Sequence, residues 1–310
     1  MKQQILLAAD AGGSKTAYCL KFLPGGERRY LTFGGSNYKV SGIEVARENL
    51  ITRLLQALEG EGIGLQDIQG AVFGIAGLDV PEDARVYGEL IAELGLGDRA
   101  VIYNDCELAF LATARAPGLC LVAGTGSNCM AFHPSRPMIQ VGGMGAFLSD
   151  GGSGFWIAQQ VMRDMLRFAD GVIPGRPLYD VVARHFGVGT TADIPLRFAV
   201  MEVPEIATAA RVIIAAATEG DPDALAVVNG ALEQLWELAR TAMGRMAYEP
   251  GETLDVVLNG SLFKGRWFLD AFWQGLTAQT KNPLRQHLVT CNTSDTAMGM
   301  AEQLFGRTSL

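Results

Sequence analysis

Short apolar segments alternate with amphipathic segments along most of the chain, and this alternation predicts an α/β fold. Apolar runs short enough to be buried strands occur at 4–9, 70–75, 100–103, 119–123 and 254–258. Apolar residues with helical spacing predict helices at 42–59, 81–94, 107–114, 155–168, 206–217, 224–247 and 295–305. Strands separated by helices are typical of α/β architecture.

Two of the predicted strands run into glycine-rich turns that lead to another strand and not to a helix. The first turn is DAGGSKT at 10–16 and the second is GTGSN at 124–128, with strand-like segments following at 17–22 and 129–132. The two familiar phosphate loops, GxxxxGK[ST] and GxGxxG, both lead from a strand into a helix, and neither pattern is present. P-loop and dinucleotide-binding folds are therefore set aside.

The two glycine turns hold matching positions in two successive parts of the chain. Gly13 and Gly126 each follow an apolar strand and precede a second one, and Pro117-Gly118 lies just before the second copy. We interpret this as an internal duplication. A chance recurrence is the alternative, because the chain has 38 glycines.

Composition narrows the function classes. Of 310 residues, 49% are hydrophobic and 19% are charged, which excludes a disordered chain and fits two domains. A net charge of −8 disfavours a nucleic-acid binder. No apolar run approaches the roughly 20 residues of a membrane span, and the first run stops at Asp10, so no signal peptide is expected. Five cysteines without a CxxC pair predict buried free thiols in a reducing cytoplasm.

The glycine turns are candidate phosphate sites. Without a Cβ, the backbone N–H groups of a glycine loop can approach an anion closely. Ser14, Lys15 and Thr125 add hydroxyl and ammonium donors, and Asp10 could hold Mg²⁺ or its waters. Either loop alone could be only a tight turn. Two matched loops favour the binding of a polyphosphate.

Further motifs follow in a fixed order along the chain. They are GSN at 35–37, Asn104-Asp105, GGMG at 142–145, SDGGSGFWI at 149–157, GDP at 220–222 and NGS at 259–261. With the two glycine turns, they make the chain resemble the N-acetylglucosamine kinases and the related BadF/BadG/BcrA/BcrD ATPases of the sugar kinase and actin superfamily. The resemblance implies two ribonuclease-H-like domains with a cleft between them for ATP and Mg²⁺. It implies domains at 1–116 with a returning helix at 292–310, and at 117–291, and a homodimer.

The resemblance also implies roles for individual residues. Asp105 matches the catalytic aspartate, a general base on the sugar hydroxyl; read locally, it could equally cap the following helix. The implied nucleotide-binding residues are Asp10, Gly12, Gly13, Ser14, Lys15, Gly124, Thr125, Gly126, Ala207, Gly260 and Lys264. The implied sugar-binding residues are Asn37, Ser127, Asn128, Gly143, Met144 and Asp150. Taken singly, a turn asparagine or a helix N-cap aspartate would explain Asn37, Asn128 or Asp150 equally well.

Two positions depart from the family pattern. Met144 stands where the family commonly has tryptophan, and Gly151 stands where it commonly has glutamate. The sequence therefore predicts an ATP-dependent kinase for the 6-hydroxyl of an amino sugar, N-acetylglucosamine or glucosamine, with no nucleic-acid or membrane partner. Two alternatives stay open, an activator ATPase of a CoA-ester reductase or dehydratase system and a non-catalytic sugar-sensing relative.

Overall fold

The chain folds into two units that share one strand plan. The computed structural model describes residues 4–13, 15–190, 192–289 and 293–306. Unit 1 comprises Met1–Arg115 and Val289–Leu310, and unit 2 comprises Ala116–Leu288. Each unit has a mixed five-stranded sheet with helices packed on it, which confirms the predicted α/β fold with two ribonuclease-H-like domains.

The strands and helices have the following bounds. The strands are β1 (Gln4–Ala11), β2 (Lys15–Leu23), β3 (Arg28–Gly34), β4 (Ile68–Ile75), β5 (Ala100–Asn104), β6 (Gly118–Ala123), β7 (Ser127–His133), β8 (Arg136–Gly142), β9 (Leu254–Asn259) and β10 (Leu284–Leu288). The helices are α1 (Tyr38–Ser41), α2 (Ile43–Arg47), α3 (Arg53–Gly60), α4 (Pro81–Ala92), α5 (Asp105–Thr113), α6 (Gly154–Ala169), α7 (Pro177–Phe186), α8 (Asp193–Phe198), α9 (Val203–Ala207), α10 (Ala210–Thr218), α11 (Pro222–Met246), α12 (Arg266–Gln279) and α13 (Thr293–Phe305).

In unit 1 the sheet order is β3-β2-β1-β4-β5. β1 runs antiparallel to β2 and parallel to β4, and β4 runs parallel to β5. Ala11 lies opposite Ile75, and Ile75 lies opposite Asn104. The carboxyl ends of three neighbouring parallel strands therefore meet at one edge of the sheet, and the residues that follow them are brought together.

The sheet of unit 1 is covered on both faces. Alternate residues of a strand point to opposite faces. Leu7 of β1 packs in a cluster with Leu54 of α3, and the adjacent Leu6 packs in another cluster with Leu108 of α5 and Met298 of α13. A central strand buried on both sides gives the continuous apolar run seen in the sequence.

Unit 2 repeats this plan. Its order is β10-β9-β6-β7-β8, with β6 antiparallel to β7 and parallel to β9, and β9 parallel to β10. Read from the opposite edge, this is the order of unit 1, as an internal duplication would give. The core joins Leu121 of β6 to Ile157 of α6, Leu235 of α11 and Phe268 of α12.

Several sequence-based boundaries are wrong in detail. Ser127 and Asn128 belong to β7 and not to a turn, because Gly124 N–H donates to Gly126 O and closes the loop within 124–126. The predicted helix at 206–217 is two helices, since α9 ends where the Thr208 hydroxyl donates to the Glu205 carbonyl oxygen. The helix at 43–60 includes a π-helical turn at Glu48–Thr52. α7, α8 and α12 were not predicted.

Two further sequence predictions concern cysteines and membranes. Cys19, Cys106, Cys120 and Cys129 are buried thiols, as predicted, whereas Cys291 lies outside the described residues. Within the described ranges, no helix is both long and apolar enough to span a bilayer.

Candidate active site

Three aspartates gather at the carboxyl edge of the unit 1 sheet. Asp10 is near the end of β1, Asp79 follows β4, and Asp105 follows β5. The pKa of the half-buried Asp105 is raised to about 7, chiefly by burial. The negative charges of Asp10 and Asp79 also raise it, whereas the hydrogen bond from the Cys106 N–H lowers it. A carboxyl whose pKa lies near neutrality is suited to general-base work.

The adjacent Asn104, and not Asp105, caps helix α5. Asn104 Oδ1 accepts the Cys106 N–H at 2.8 Å, and Asn104 is the N-cap residue. Asp105 is the first residue of α5, with its Oδ1 2.9 Å from the same N–H. Asn104 Nδ2 also donates to Leu78 O at 3.1 Å, which ties the segment after β4 to the end of β5. Asn104 therefore holds the N-cap position, and Asp105 contacts the same N–H from within the first turn.

The glycine turn of unit 1 is open at its tip. Gly12 N–H donates to Lys15 O at 2.9 Å, and Ser36 N–H donates to Gly12 O at 3.0 Å, so the turn is held from two sides. A Cβ at Gly13 would meet nothing within 4 Å. Lys15 is exposed, and Ser14 lies outside the described residues. The turn thus leaves room for a ligand next to the backbone.

Asn37 lies beside the segment that follows β4. It is the N-cap of α1, and its Oδ1 accepts the Lys39 N–H at 3.0 Å. A Cβ at Gly77 would lie 2.6 Å from Asn37 Nδ2, so the amide packs against Gly77. The turn-asparagine role is therefore real, and it fixes the Asn37 side chain close to the strand edge that bears the aspartates.

In unit 2 the structure brings together four of the predicted sugar-binding residues. A Cβ at Gly126 would lie 2.4 Å from Asp150 Oδ2, and a Cβ at Gly143 would lie 3.0 Å from Asn128 Cβ. The Ser127 hydroxyl donates to Gly151 O at 2.8 Å. The segments 124–128 and 142–151 are thereby packed into one polar surface.

Two side chains in this cluster, those of Asp150 and Asn128, place polar atoms in the interior without capping a helix. The N-cap of α6 is Ser153, whose Oγ accepts the Trp156 N–H at 3.1 Å, so the N-cap alternative for Asp150 is wrong. Asp150 is nevertheless buried. Asn128 Oδ1 is buried and has no hydrogen-bond partner among the described residues. A buried amide oxygen without a partner is costly unless a ligand supplies one.

The two departures from the family pattern also lie here. Met144 is 52% exposed, and its N–H donates to the Ser149 hydroxyl at 2.6 Å. A Cβ at Gly151 would lie 2.6 Å from Gln234 Oε1 of α11. Gln234 thus takes up the space into which a larger residue at position 151 would extend.

A cavity of about 1020 Å³ lies within unit 2. It is lined by predicted nucleotide-binding residues Gly124, Thr125, Ala207 and Lys264. Gly260 does not line it but has a φ of +115° and packs so tightly that a Cβ would lie 2.3 Å from Ala123 O. Gly260 thus permits the close approach of the ends of β6 and β9.

Basic side chains that the sequence reasoning missed also line this cavity. They include His185, Arg197, Arg211 and Arg266, and Glu205 is the acidic residue among the lining side chains. Arg197 pairs with Glu205, and Arg266 pairs with Asp270 at 2.7 Å. Burial and the charge of Arg211 lower the pKa of His185. The cavity is locally positive although the chain is acidic, as an anionic ligand requires.

The residues present fit a Mg²⁺ ion that keeps most of its water ligands better than one held entirely by protein side chains. Within the described ranges, no three His, Cys, Asp or Glu side chains are grouped as direct metal ligands. Mg²⁺ in phosphoryl-transfer sites commonly takes one or two carboxylates and completes its shell with water and phosphate oxygens. Asp10 could be such a carboxylate, and a cation near it would offset the acidic charge that acts on Asp105.

Comparison with known proteins gives three curated sugar-kinase relatives. The chain is 27% identical to an N-acetylmuramic acid/N-acetylglucosamine kinase of Clostridium acetobutylicum over 53% of this chain and 54% of that protein. It is 25% identical to an N-acetyl-D-glucosamine kinase of Dictyostelium discoideum over 59% and 60%, respectively. It is 31% identical to a glucosamine kinase of Vibrio cholerae over 49% and 51%. The matches thus span only about half the length of these relatives.

Solved structures match nearly the whole chain and bear out the fold. A candidate N-acetylglucosamine kinase of Chromobacterium violaceum superposes with a TM-score of 0.73 at 22% identity, covering 97% of this chain and 100% of that one. A ROK family glucokinase of Streptomyces griseus, solved with glucose and AMPPNP, gives 0.57 at 15% identity, covering 96% and 98%. The model of the BadF/BadG/BcrA/BcrD ATPase family matches residues 9–287, and the chain belongs to that family.

Proposed function

We propose that this protein is an ATP-dependent kinase that transfers a phosphoryl group to the 6-hydroxyl of an amino sugar, N-acetylglucosamine or glucosamine. The observation that carries the proposal is Asp105, a carboxyl at the end of β5 whose pKa is raised to about 7 by burial and by Asp10 and Asp79. The three curated relatives, all amino-sugar kinases by name, support this choice of substrate class.

ATP supplies the phosphoryl group. Asp105 orients the sugar hydroxyl and takes its proton as the new O–P bond forms and the bond between the γ-phosphorus and the β-phosphate oxygen breaks. The raised pKa makes Asp105 a stronger base than an ordinary aspartate, and at pH above about 7 it is ready to accept the proton. The charge of Asp10 favours the protonated form that results.

The glycine turns and the unit 2 cavity bind the nucleotide. Backbone N–H groups near Gly13 and Gly126, with Lys15 and Thr125, would contact phosphate oxygens. Lys264 would add a positive charge, and Ala207 would leave room for the base along the wall of the 1020 Å³ cavity. Asp10 would hold Mg²⁺ through water.

The polar clusters in the two units would recognise the sugar. Asn37 in unit 1, and Ser127, Asn128, Gly143 and Asp150 in unit 2, offer amide, hydroxyl, carboxylate and backbone groups suited to ring hydroxyls and to a 2-amino or 2-acetamido group. A site built to pair a polar substituent rejects an analogue that lacks it, since its own buried groups are then left unpaired. The unpartnered Asn128 Oδ1 is such a group.

The activator alternative requires cysteines that can hold an iron–sulfur cluster at a subunit interface. Cys19, Cys106, Cys120 and Cys129 are all buried. These four buried thiols, which are the cysteines among the described residues, do not support a cluster shared across a subunit interface, and they favour a reducing, cytoplasmic setting. A homodimer completes the proposal, and light scattering of the purified protein tests it directly.

A coupled assay of ADP formation tests the function. N-acetylglucosamine, glucosamine, N-acetylmannosamine and glucose are compared on one preparation, and the phosphorylated carbon is assigned by phosphorus NMR. We expect kcat/KM to be highest for one of the first two sugars. A preference for glucose contradicts the amino-sugar assignment. ATP hydrolysis that none of the four sugars stimulates, with no sugar phosphate formed, favours the activator instead.

A further inference from the structure

A second cavity of about 460 Å³ lies in unit 2, apart from the one assigned above to ATP. Side chains of α6, of α7 with its N-cap residue Arg176, and of the first turns of α11 line it, and none of them lines the larger cavity. Its walls are mixed. One part is apolar and includes Trp156, Leu178 and Val227, and the other part is rich in arginine.

The charged part of this cavity has more positive than negative groups. Arg163, Arg167 and Arg176 line it together with Asp164 and Asp223. Arg167 pairs with Asp164 at 3.1 Å, and Arg176 pairs with Asp223. Across the ranges that the structure describes, Arg163 makes no ion pair. The Arg163 guanidinium therefore lines the cavity without an acidic partner among the residues described, in a protein whose net charge is −8.

Tyr179 supplies an independent sign of a missing ligand. Its side chain is 4% exposed and lines the cavity, and its hydroxyl is buried with no hydrogen-bond partner among the described residues. Burial raises the pKa of Tyr179, so the hydroxyl stays protonated and remains a donor. A buried donor without an acceptor is unfavourable, and the oxygen of an anion in the cavity would satisfy it.

We propose that this cavity binds a small phosphate monoester with a carbon skeleton. Arginine forks match phosphate oxygens, and a phosphate offers three of them to share between Arg163, its neighbouring guanidinium groups and the Tyr179 hydroxyl. A carboxylate offers only two. The apolar wall and the volume leave room for a skeleton the size of a sugar, which inorganic phosphate would not use. The proposal does not rest on the proposed kinase reaction.

Calorimetric titration without ATP tests the proposal, with glucose 6-phosphate as the probe. Glucose, gluconate and inorganic phosphate serve as comparison ligands. We expect glucose 6-phosphate to bind more tightly than all three. Equal or tighter binding of gluconate, or of inorganic phosphate, would show that the site does not select a phosphate monoester, and no binding at millimolar probe would overturn the proposal.

Variants locate the site. Arg163→Gln and Tyr179→Phe should each weaken probe binding by about tenfold, because each removes a donor to a charged group. Arg184→Gln, which removes an exposed charge of α7 outside the cavity, should leave it unchanged. Loss of probe binding in Lys264→Met, with Arg163→Gln unaffected, would place the probe in the larger cavity and contradict the proposal. Arg163 is exposed, so the test holds even if Tyr179→Phe fails to fold.

Discussion

Asp10 and Asp105 lie close enough at the edge of the unit 1 sheet for the charge of Asp10 to act on Asp105. After burial, this charge is the next largest cause of the raised pKa of Asp105, which is about 7. The closeness follows from the strand register, because β4 lies between β1 and β5 with their carboxyl ends level. The sheet topology thus contributes, after burial, to the basicity of the proposed catalytic base.

The first prediction concerns pH. For N-acetylglucosamine, which has no ionisable group in the relevant range, kcat/KM should rise with pH and level off at or below about pH 7, because only the Asp105 carboxylate can accept the hydroxyl proton and a cation near Asp10 lowers the pKa of Asp105. The measurement is a rate profile from pH 5.5 to about 8.5 at saturating ATP and Mg²⁺. A profile that is flat across this range would contradict a base with a raised pKa.

The second prediction concerns Asp105→Asn. Phosphorylation should fall by about 10² to 10⁴-fold while ATP still binds, as is usual for loss of a general base. The stability of the folded protein should instead increase in this variant. The pKa of Asp105 is higher in the folded than in the unfolded chain, so its stabilising effect is complete below about pH 4 and is lost as pH rises through about 7.

The Asp105→Asn variant has no carboxyl group to ionise at position 105, so it does not lose this stability as pH rises. It should therefore be more stable than the parent by about 1–2 kcal/mol at pH 8, less than the full shift would give, because Asp105 is partly exposed to water. Thermal unfolding at pH 5 and pH 8 measures the difference, with the exposed Asp98→Asn as the matched control. Near-parental kcat in Asp105→Asn would remove this residue from the mechanism.

The third prediction separates the two glycine turns. Replacing Gly13 or Gly126 by valine should weaken ATP binding in both cases, and alanine gives a finer comparison. A Cβ at Gly13 meets open space, so Gly13→Ala should lower ATP affinity without loss of stability. A Cβ at Gly126 meets Asp150 Oδ2 at 2.4 Å, so Gly126→Ala should also raise the KM for the sugar.

Calorimetry with ATP and steady-state kinetics with the sugar make this comparison. Gly25→Ala is the control, because Gly25 is exposed and its added Cβ also meets nothing within 4 Å. Unchanged ATP binding in folded Gly13 and Gly126 variants would refute phosphate binding by the two turns.

How much could be predicted from the sequence depended on how local each feature is. Both glycine hairpins and the aspartate after β5 were predicted, because strand periodicity and glycine positions are visible over a few residues. Asp79 was missed since only the parallel pairing of β4 with β1 and β5 brings it near Asp105. Arg197 and Arg211 were missed because they come from separate helices and meet only after packing.

The fourth prediction concerns the larger cavity of unit 2. Lys264→Met keeps most of the side-chain volume and removes the charge, so ATP affinity should fall by about tenfold, as expected for loss of a charge-assisted contact. Lys281→Met, an exposed lysine of the same unit that does not line the cavity, is the control. Fluorescence of Trp267, which lines the cavity, reports the binding. Equal affinity in both variants would exclude Lys264 from the nucleotide site.

The last prediction concerns the coupled positions 151 and 234. The resemblance to the family implies glutamate at position 151, where this chain has glycine, and Gln234 Oε1 lies 2.6 Å from the place of a Cβ there. Gly151→Glu alone should crowd Gln234 and disturb the Ser127 hydroxyl contact with Gly151 O, lowering kcat/KM for the amino sugar. Adding Gln234→Ala makes room, so the double variant should recover most of the loss. Side chains in direct contact couple by about 0.5–3 kcal/mol, which a double-mutant cycle resolves.

Because the restored carboxylate would lie beside Asp150, we also expect the double variant to favour glucosamine, which carries a positive charge, over N-acetylglucosamine. Additive effects of the two substitutions, with no change in the ratio of kcat/KM between these sugars, would show that Gln234 does not compensate for the glycine.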